Sequence, residues 1–393
     1  MPLPSTLACA AALLVLASAA PVGASRRVHK SRAPAARAAP LVVTQAPEQI
    51  RLTFTNSDSE MGVYFVTSNK TSDDYVATVM YGPSESKMDL VATGSNSNYT
   101  VFNIKSPSLH FVVLPELTPG AFVWYKVGSP VYGWSINYNF TVKPAAGPQY
   151  PLTWLAYGDM GISNSENTAA LTAKLIRSGE AQFITHAGDI SYADNRASIN
   201  NGSIYEGVLN DFYNEVQPSS AYAAYMTSSG NHEAIVDFLA YRMRNSPTMP
   251  QNGGLFWHSY NVGPVHFLAF DIDQTWAAGS PQHAFITADL AAVDRAVTPW
   301  VVAYNHFPLI CSNLFWCPGA LSFQALYEPI FNAPATKVDL FYAGHVHAAE
   351  VMYPQLGGKV VQTNFDNVAV TNQVMVGFPG QSSKPINIPA APF

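Results

Sequence analysis

Five stretches of this sequence end an apolar run in side chains that can hold a metal. "LTWLAY" runs into Gly158-Asp159-Met160-Gly161, "QFITHA" into Gly188-Asp189-Ile190-Ser191-Tyr192, and "AAYMTSS" into Gly230-Asn231-His232-Glu233. Further on, "PWVVAYN" runs into His306, and "VDLFYA" into Gly344-His345-Val346-His347. Two Asp, one Tyr, one Asn and three His give seven oxygen and nitrogen donors. That is too many for one tetrahedral ion and suits two ions sharing a bridging carboxylate. Each motif alone has an ordinary reading, because a Gly-Asp at a strand end is usually a turn and a lone His in an apolar run is usually core. Their recurrence in order is what points to chemistry.

Donors spread over nearly two hundred residues can meet only if the chain brings strand ends together. From about residue 150 apolar β-type runs alternate with amphipathic stretches. Residues 164–178 place Leu171, Leu175 and Ile176 on one helical face before Gly179, and residues 282–297 do the same with Ile286, Leu290, Val293 and Val297. Strand and helix in alternation predict an α/β layered domain over residues 150–393, with mixed β-sheets flanked by helices. In open α/β sheets ligands bind at the carboxyl ends of the strands, so the five clusters are expected to line one crevice, with glycines allowing sharp turns.

Residues 46–144 follow a different grammar. "IRLTFT", "GVYFVT", "ATVMYG", "SLHFVVLPEL", "AFVWYKVG" and "YNFTVK" are short β-type runs separated by turn residues, which predicts an all-β sandwich. "LPELTPGAFVWYKVG" is similar to the strand-turn-strand region of a fibronectin type III domain. No constellation of titratable groups occurs here, so this domain reads as structural or partner-binding.

The chain has 393 residues, 48% of them hydrophobic and 12% charged, enough to bury a sizeable core. Residues 1–24 carry an apolar stretch followed by small residues and read as a secretory signal; that stretch is too short to span a bilayer, and no later segment spans one. Residues 25–45 are rich in Ala, Pro and Arg and read as a linker. Net charge is −6, and this linker holds five of the twenty basic residues, so the body is more acidic still. An acidic body argues against nucleic acid as a partner. Secretion, or delivery to a lysosome-like or vacuole-like lumen, implies sugar at the Asn-x-Ser/Thr sites Asn69, Asn98, Asn139 and Asn201.

The ordered motifs "GDMG", "GDISY", "GNHE", "NHFP" and "GHVH" resemble those of the metallophosphoesterases and, within them, the purple acid phosphatases. Gly161 and Tyr192 stand where ordinary metallophosphoesterases carry a histidine and a carboxylate. The resemblance implies a dinuclear metal centre: Asp159, Tyr192 and His347 on a trivalent iron, Asn231, His306 and His345 on a divalent zinc, manganese or iron, and Asp189 bridging. Phenolate, carboxylate and imidazole suit a hard ion, and a neutral amide with two imidazoles suits a softer one. It further implies hydrolysis of a small phosphate monoester at acid pH by a metal-bound hydroxide, with His232 contacting the phosphate. A phosphodiesterase or nucleotide pyrophosphatase on the same metals is the alternative enzyme. A truncated, weakly active secreted binding module is the alternative outside enzymes, because relatives continue through more strands beyond the point where this sequence stops, so the catalytic domain is expected to be short at its C-terminus. Plant-type relatives also carry two histidines nine and ten residues after the ligand at His306, where this chain has Phe315 and Trp316. A leaving-group acid is then missing, or else supplied by His232, His258 or solvent.

Cys311 and Cys317 lie in the same loop, and no second His/Cys cluster lies nearby. In an oxidising compartment a disulfide closing this loop is favoured over two free thiols. It is expected to hold Phe315 and Trp316 at the crevice rim, with burial in the core as the alternative. Rim placement means that Trp316→Ala lowers the ratio of kcat/KM for aryl over small alkyl phosphates; an unchanged ratio returns both aromatics to the core.

Overall fold

The computed structural model describes residues 46–68, 71, 74–195, 201–311, 317 and 319–381. The signal and linker, Asn69, Phe315 and Trp316 therefore lie outside the described residues. All six β-type runs of the N-terminal half are strands, in two antiparallel sheets. One sheet orders Glu48–Thr53, Met61–Thr67, Ser108–Leu114 and Ser95–Ser97. The other orders Gly133–Trp134, Phe122–Ser129, Thr78–Gly82 and Leu90–Thr93, with Tyr138–Thr141 also paired to Phe122–Ser129. Their inward residues, among them Val63, Phe65, Val79, Tyr125 and Val127, are almost fully buried. Met61–Thr67 is buried at every position, because its outer face is covered in turn by the following domain.

The five motif-bearing runs are also strands, yet they do not lie in one sheet. Trp154–Tyr157, Phe183–Ala187 and Tyr225–Ser228 form a three-stranded parallel sheet. Trp300–Asn305 and Leu340–Ala343 sit centrally in a six-stranded sheet, parallel to Val265–Ala269 and Asn372–Val376. His258–Val262 and Ala349–Val351 close its two edges antiparallel. Alternate residues of this sheet face opposite ways: Leu268, Val301, Ala303 and Phe341 share a core with the helices outside it, whereas Phe267, Val302, Tyr304 and Tyr342 join the larger core shared with the three-stranded sheet and the sandwich. Tyr342 Oη donates to Thr185 Oγ1 across the gap at 2.7 Å.

The helices are α1 Glu166–Arg177, α2 Gly202–Ser220, α3 Leu239–Arg244, α4 Pro281–Ala292 and α5 Ala320–Asn332. Two expectations need correction. In α1 the buried stripe is Thr168, Thr172, Leu175 and Ile176, and Leu171 is 37% exposed, because position 171 falls just outside that i, i+4, i+7, i+8 face. Helix α4 starts where Ser280 Oγ accepts from His283 N–H and Pro281 fixes the first turn, but it ends at Ala292. Val293 turns extended there, and Val297, expected on the buried face, is 37% exposed.

The sandwich is joined to the second domain through both apolar and charged contacts. Phe54 packs its ring, tilted, at 5.3 Å from that of Phe183 in one sheet and 5.7 Å from that of Tyr260 in the other. Elsewhere in the join, fully buried Arg244 bonds Glu206 at 2.7 Å, Tyr99 at 2.7 Å and Gln49 at 2.9 Å, and its carbonyl accepts from Arg51. Removing one partner of a buried pair strands the other charge at a cost of about 3–5 kcal/mol. Arg244→Met should lower the thermal midpoint and open residues 46–144 to limited proteolysis before the rest of the chain; simultaneous cleavage throughout would count against this join.

Candidate metal centre

The five motifs all emerge at the carboxyl ends of their strands, three from one sheet and two from the other, and meet across the seam. Tyr192 Oη donates to Asp159 Oδ1 at 2.9 Å and lies 2.9 Å from His347 Nε2, which is itself 3.3 Å from Asp159 Oδ1. A second group forms where His345 Nδ1 stands 3.0 Å from Asn231 Oδ1 and 3.2 Å from His306 Nε2. Asp189 lies between them, its Oδ2 3.2 Å from His306 Nε2. Ligand atoms of Asp159, Asp189 and His306 fall within 4.8 Å of one another. The structure thus brings together all seven donors read from the sequence.

Backbone shape places them. Asp159, Asp189, Tyr192 and His345 have φ of 60°, 50°, 55° and 68°, a left-handed region that costs a non-glycine residue about 1 kcal/mol or more. Gly188 also has positive φ, and a Cβ there would meet the His306 side chain at 2.5 Å. Gly230 differs from expectation: its backbone is extended, and it is required for room, since a Cβ would lie 2.4 Å from Asp189 Oδ1. His306 donates Nδ1–H to the Ala187 carbonyl at 2.9 Å, which leaves the Nε2 lone pair facing the cluster.

Three polar residues that the motifs did not single out hold the arrangement. Glu233 accepts from the N–H groups of Asp189, Ile190 and Gly230, each at 2.9 Å, and so locks two motif loops together. Burial and, next, the Asp189 charge push its pKa upward against the opposing pull of the Ile190 and Gly230 N–H groups and the His306 imidazole. Asp194 carries both carboxylate oxygens 2.8 Å from His232 Nδ1 and orients that ring, whose Nε2 is 3.7 Å from Asp189 Oδ2. Burial lowers the His232 pKa, but the Asp194 hydrogen bond and the charges of Asp189, Asp194 and Glu233 outweigh it and raise the net value. Buried Asp271 accepts from Ser229 Oγ at 2.6 Å and bonds Gln282 at 2.8 and 2.7 Å through its backbone, bracing the Asn231 loop against the other sheet. His258, offered from sequence as an acid, is fully buried, and burial holds its pKa down at about 4.

Charge at the centre is strongly perturbed. Burial raises the Asp189 pKa, yet the His306 and His232 imidazoles overcome it and hold the carboxyl far below its usual range. Burial and then the carboxylates of Asp159 and Asp189 push the Tyr192 phenol far above its own. The His347 Nδ1 is buried without a partner among the described residues. Donors lying about 2.0–2.3 Å from one ion stand roughly 3 Å from each other, so the spacing within each group fits an ion at its centre.

Residues 47–142 match the family described as the purple acid phosphatase N-terminal domain, and residues 152–349 match the calcineurin-like phosphoesterase family. The chain belongs to the purple acid phosphatases. Purple acid phosphatase 18 of Arabidopsis thaliana is 27% identical over 317 residues, covering 78% of this chain and 66% of that protein. The Fe(3+)-Zn(2+) purple acid phosphatase 12 of the same organism is 26% identical over 316 residues, covering 78% of this chain and 65% of the other. The chain thus spans just under two thirds of the length of these relatives. A purple acid phosphatase structure from yellow lupin (Lupinus luteus) seeds superposes with a TM-score of 0.72 at 23% identity, over 87% of this chain and 67% of the other, and shares the fold.

The buried Asp271 gives a test of the brace. Burial and the neighbouring Asp273 push its pKa up to about 7, above the 3.8 of a free carboxyl. A raised folded-state pKa adds stability that is complete below about pH 4 and is lost as pH rises to about 7, at no more than about 1.4 kcal/mol per pH unit. The stability of wild type relative to Asp271→Asn should fall across that window and level off above it; a difference independent of pH would show that Asp271 is not held protonated.

Proposed function

We propose that this chain is a secreted or lumenal acid phosphatase that hydrolyses small phosphate monoesters on a dinuclear metal centre. The observation that carries the reading is the sorting of six donors into two groups of three, with the Asp189 carboxylate between them. On this reading Asp159, Tyr192 and His347 hold a trivalent iron, Asn231, His306 and His345 hold a divalent ion, and Asp189 serves both. The donor chemistry fits, since the first set is harder than the second. When bound, two such ions polarise the phosphoryl oxygens and acidify water.

The chain's own groups do the rest. His306 is fixed in one tautomer by the Ala187 carbonyl, so its free nitrogen is always the one offered. His232 is half-buried at the edge of the crevice, oriented by Asp194, and contacts the phosphate in this proposal. Asn231 is exposed, and His345 is partly so, which leaves the divalent side open to an entering ester. Passage through an oxidising compartment is supported by the disulfide between Cys311 and Cys317, both buried beside Phe307. Among the described residues no helix is long and apolar enough to cross a membrane.

Metal content and the visible spectrum of the purified protein test the assignment. Two metals per chain and a violet colour that disappears in Tyr192→Phe are expected; a colourless protein holding zinc alone would refute the iron. Asp189→Ala should lose both metals, Asn231→Ala mainly the divalent one, and His232→Ala should keep both while turnover falls by about 10²-fold or more. Equal loss of both metals in the first two variants would undo the site as drawn.

A further inference from the structure

We infer that the outer face of the sandwich formed by Phe122–Ser129 and Tyr138–Thr141 seats an N-linked glycan carried on Asn139, its first N-acetylglucosamine stacked on Trp124 and Phe122. The inference rests on the secreted or lumenal reading, which alone exposes the chain to glycosylation. Asn139-Phe140-Thr141 is an acceptor sequence lying within a strand. Antiparallel register sets Asn139 directly opposite Trp124 and Thr141 directly opposite Phe122. Directly opposed residues share one face, with Cβ atoms about 4.5–5.5 Å apart. The intervening residues, Val123, Tyr125, Tyr138 and Phe140, point the other way and are buried, with Tyr125 and Tyr138 also meeting the C-terminal end of α2. Asn139, Trp124 and Phe122 therefore face outward together.

That face is unusual for an outer surface. Phe122 is 50% exposed and meets Trp124 edge to face at 6.1 Å, while Lys126 Nζ stands 5.1 Å over the Trp134 ring further along. Exposed aromatic surface on a sheet invites association unless it is covered. A pyranose has an apolar face of C–H groups and a polar rim, so it can cover an aromatic ring while its hydroxyls stay in water, as other amphipathic groups do. The Asn139 amide makes no side-chain hydrogen bond among the described residues and is free for attachment. The other described sequons lack this setting. Asn201 uses its side chain to cap α2 through Ser203 N–H, and the aromatic beside Asn98, Tyr99, is buried.

Attachment forms a bond from the sugar's anomeric carbon to Asn139 Nδ2. The bond broken joins that carbon to the diphosphate of a lipid-linked oligosaccharide donor, and the amide proton leaves with the diphosphate. The test uses the full chain secreted from a eukaryotic host under a heterologous signal, so secretion under its own leader can be scored separately and its failure does not touch this result. Glycopeptide mass spectrometry reads occupancy of Asn139, and hydroxyl-radical footprinting reads exposure of Phe122 and Trp124. Asn139 should be occupied, and both aromatics should stay protected when an endoglycosidase trims the glycan to its first sugar. Oxidation of both should rise several-fold in Asn139→Gln and equally in Thr141→Ala, which removes the sequon but keeps the asparagine, and should not change in Asn98→Gln. An unoccupied Asn139, a footprint that fails to rise, or a rise in Asn139→Gln that Thr141→Ala does not reproduce would overturn the inference.

Discussion

Asp159, Asp189, Tyr192, Asn231 and three imidazoles crowd together at separations near 3 Å, and the rest of the molecule is arranged to keep them there. Lone pairs that close repel unless protons or cations lie between them, and burial strengthens the repulsion by excluding water. A flexible chain would relieve it by swinging the side chains apart. Here the exits are blocked: the loops are fixed by Glu233 across two motifs, by Asp271 across two sheets, and by backbone angles that few residues other than glycine adopt. Strain of this kind concentrates where a ligand repays it.

The two-sheet design follows from the same demand. A single open sheet presents its strand ends in a row, which suits an elongated ligand. Two sheets whose carboxyl ends meet at a seam present donors from opposite sides, so a compact cluster can be surrounded. The aromatic layer of Trp154, Phe183, Tyr260 and Phe267 sets the spacing of that seam, and Tyr342 ties it with a hydrogen bond to Thr185.

Much of this was legible in the sequence because a donor beside a glycine at the end of an apolar run is a local signal, and local signals survive without coordinates. A looser rule, any carboxylate that ends an apolar run, would also have found Asp271 after "VHFLAF", although no glycine stands beside it. Glu233 stands within the third motif, yet nothing local says that its carboxylate will accept from the N–H groups of another motif's loop. Asp194 was not legible either, because nothing local says that it will orient a ring 38 residues away. The division of the strands between two sheets was hidden for a physical reason: parallel strands buried on both faces carry the same apolar composition whichever strand lies beside them. Helices α2 and α5 carry Pro218 and Pro329 inside them, which masks their period.

Phe54 and Arg51 leave the ribosome long before the groups that will cover them. The bond from Arg51 to Arg244 spans 193 residues, which at ordinary elongation rates is a delay of roughly 10–40 s. Once the last sandwich strand, Tyr138–Thr141, has emerged, the sandwich carries an uncovered phenylalanine and a guanidinium without its final neighbours until Arg244 follows. The N-terminal domain is therefore less an appended module than a half-made surface awaiting its other half.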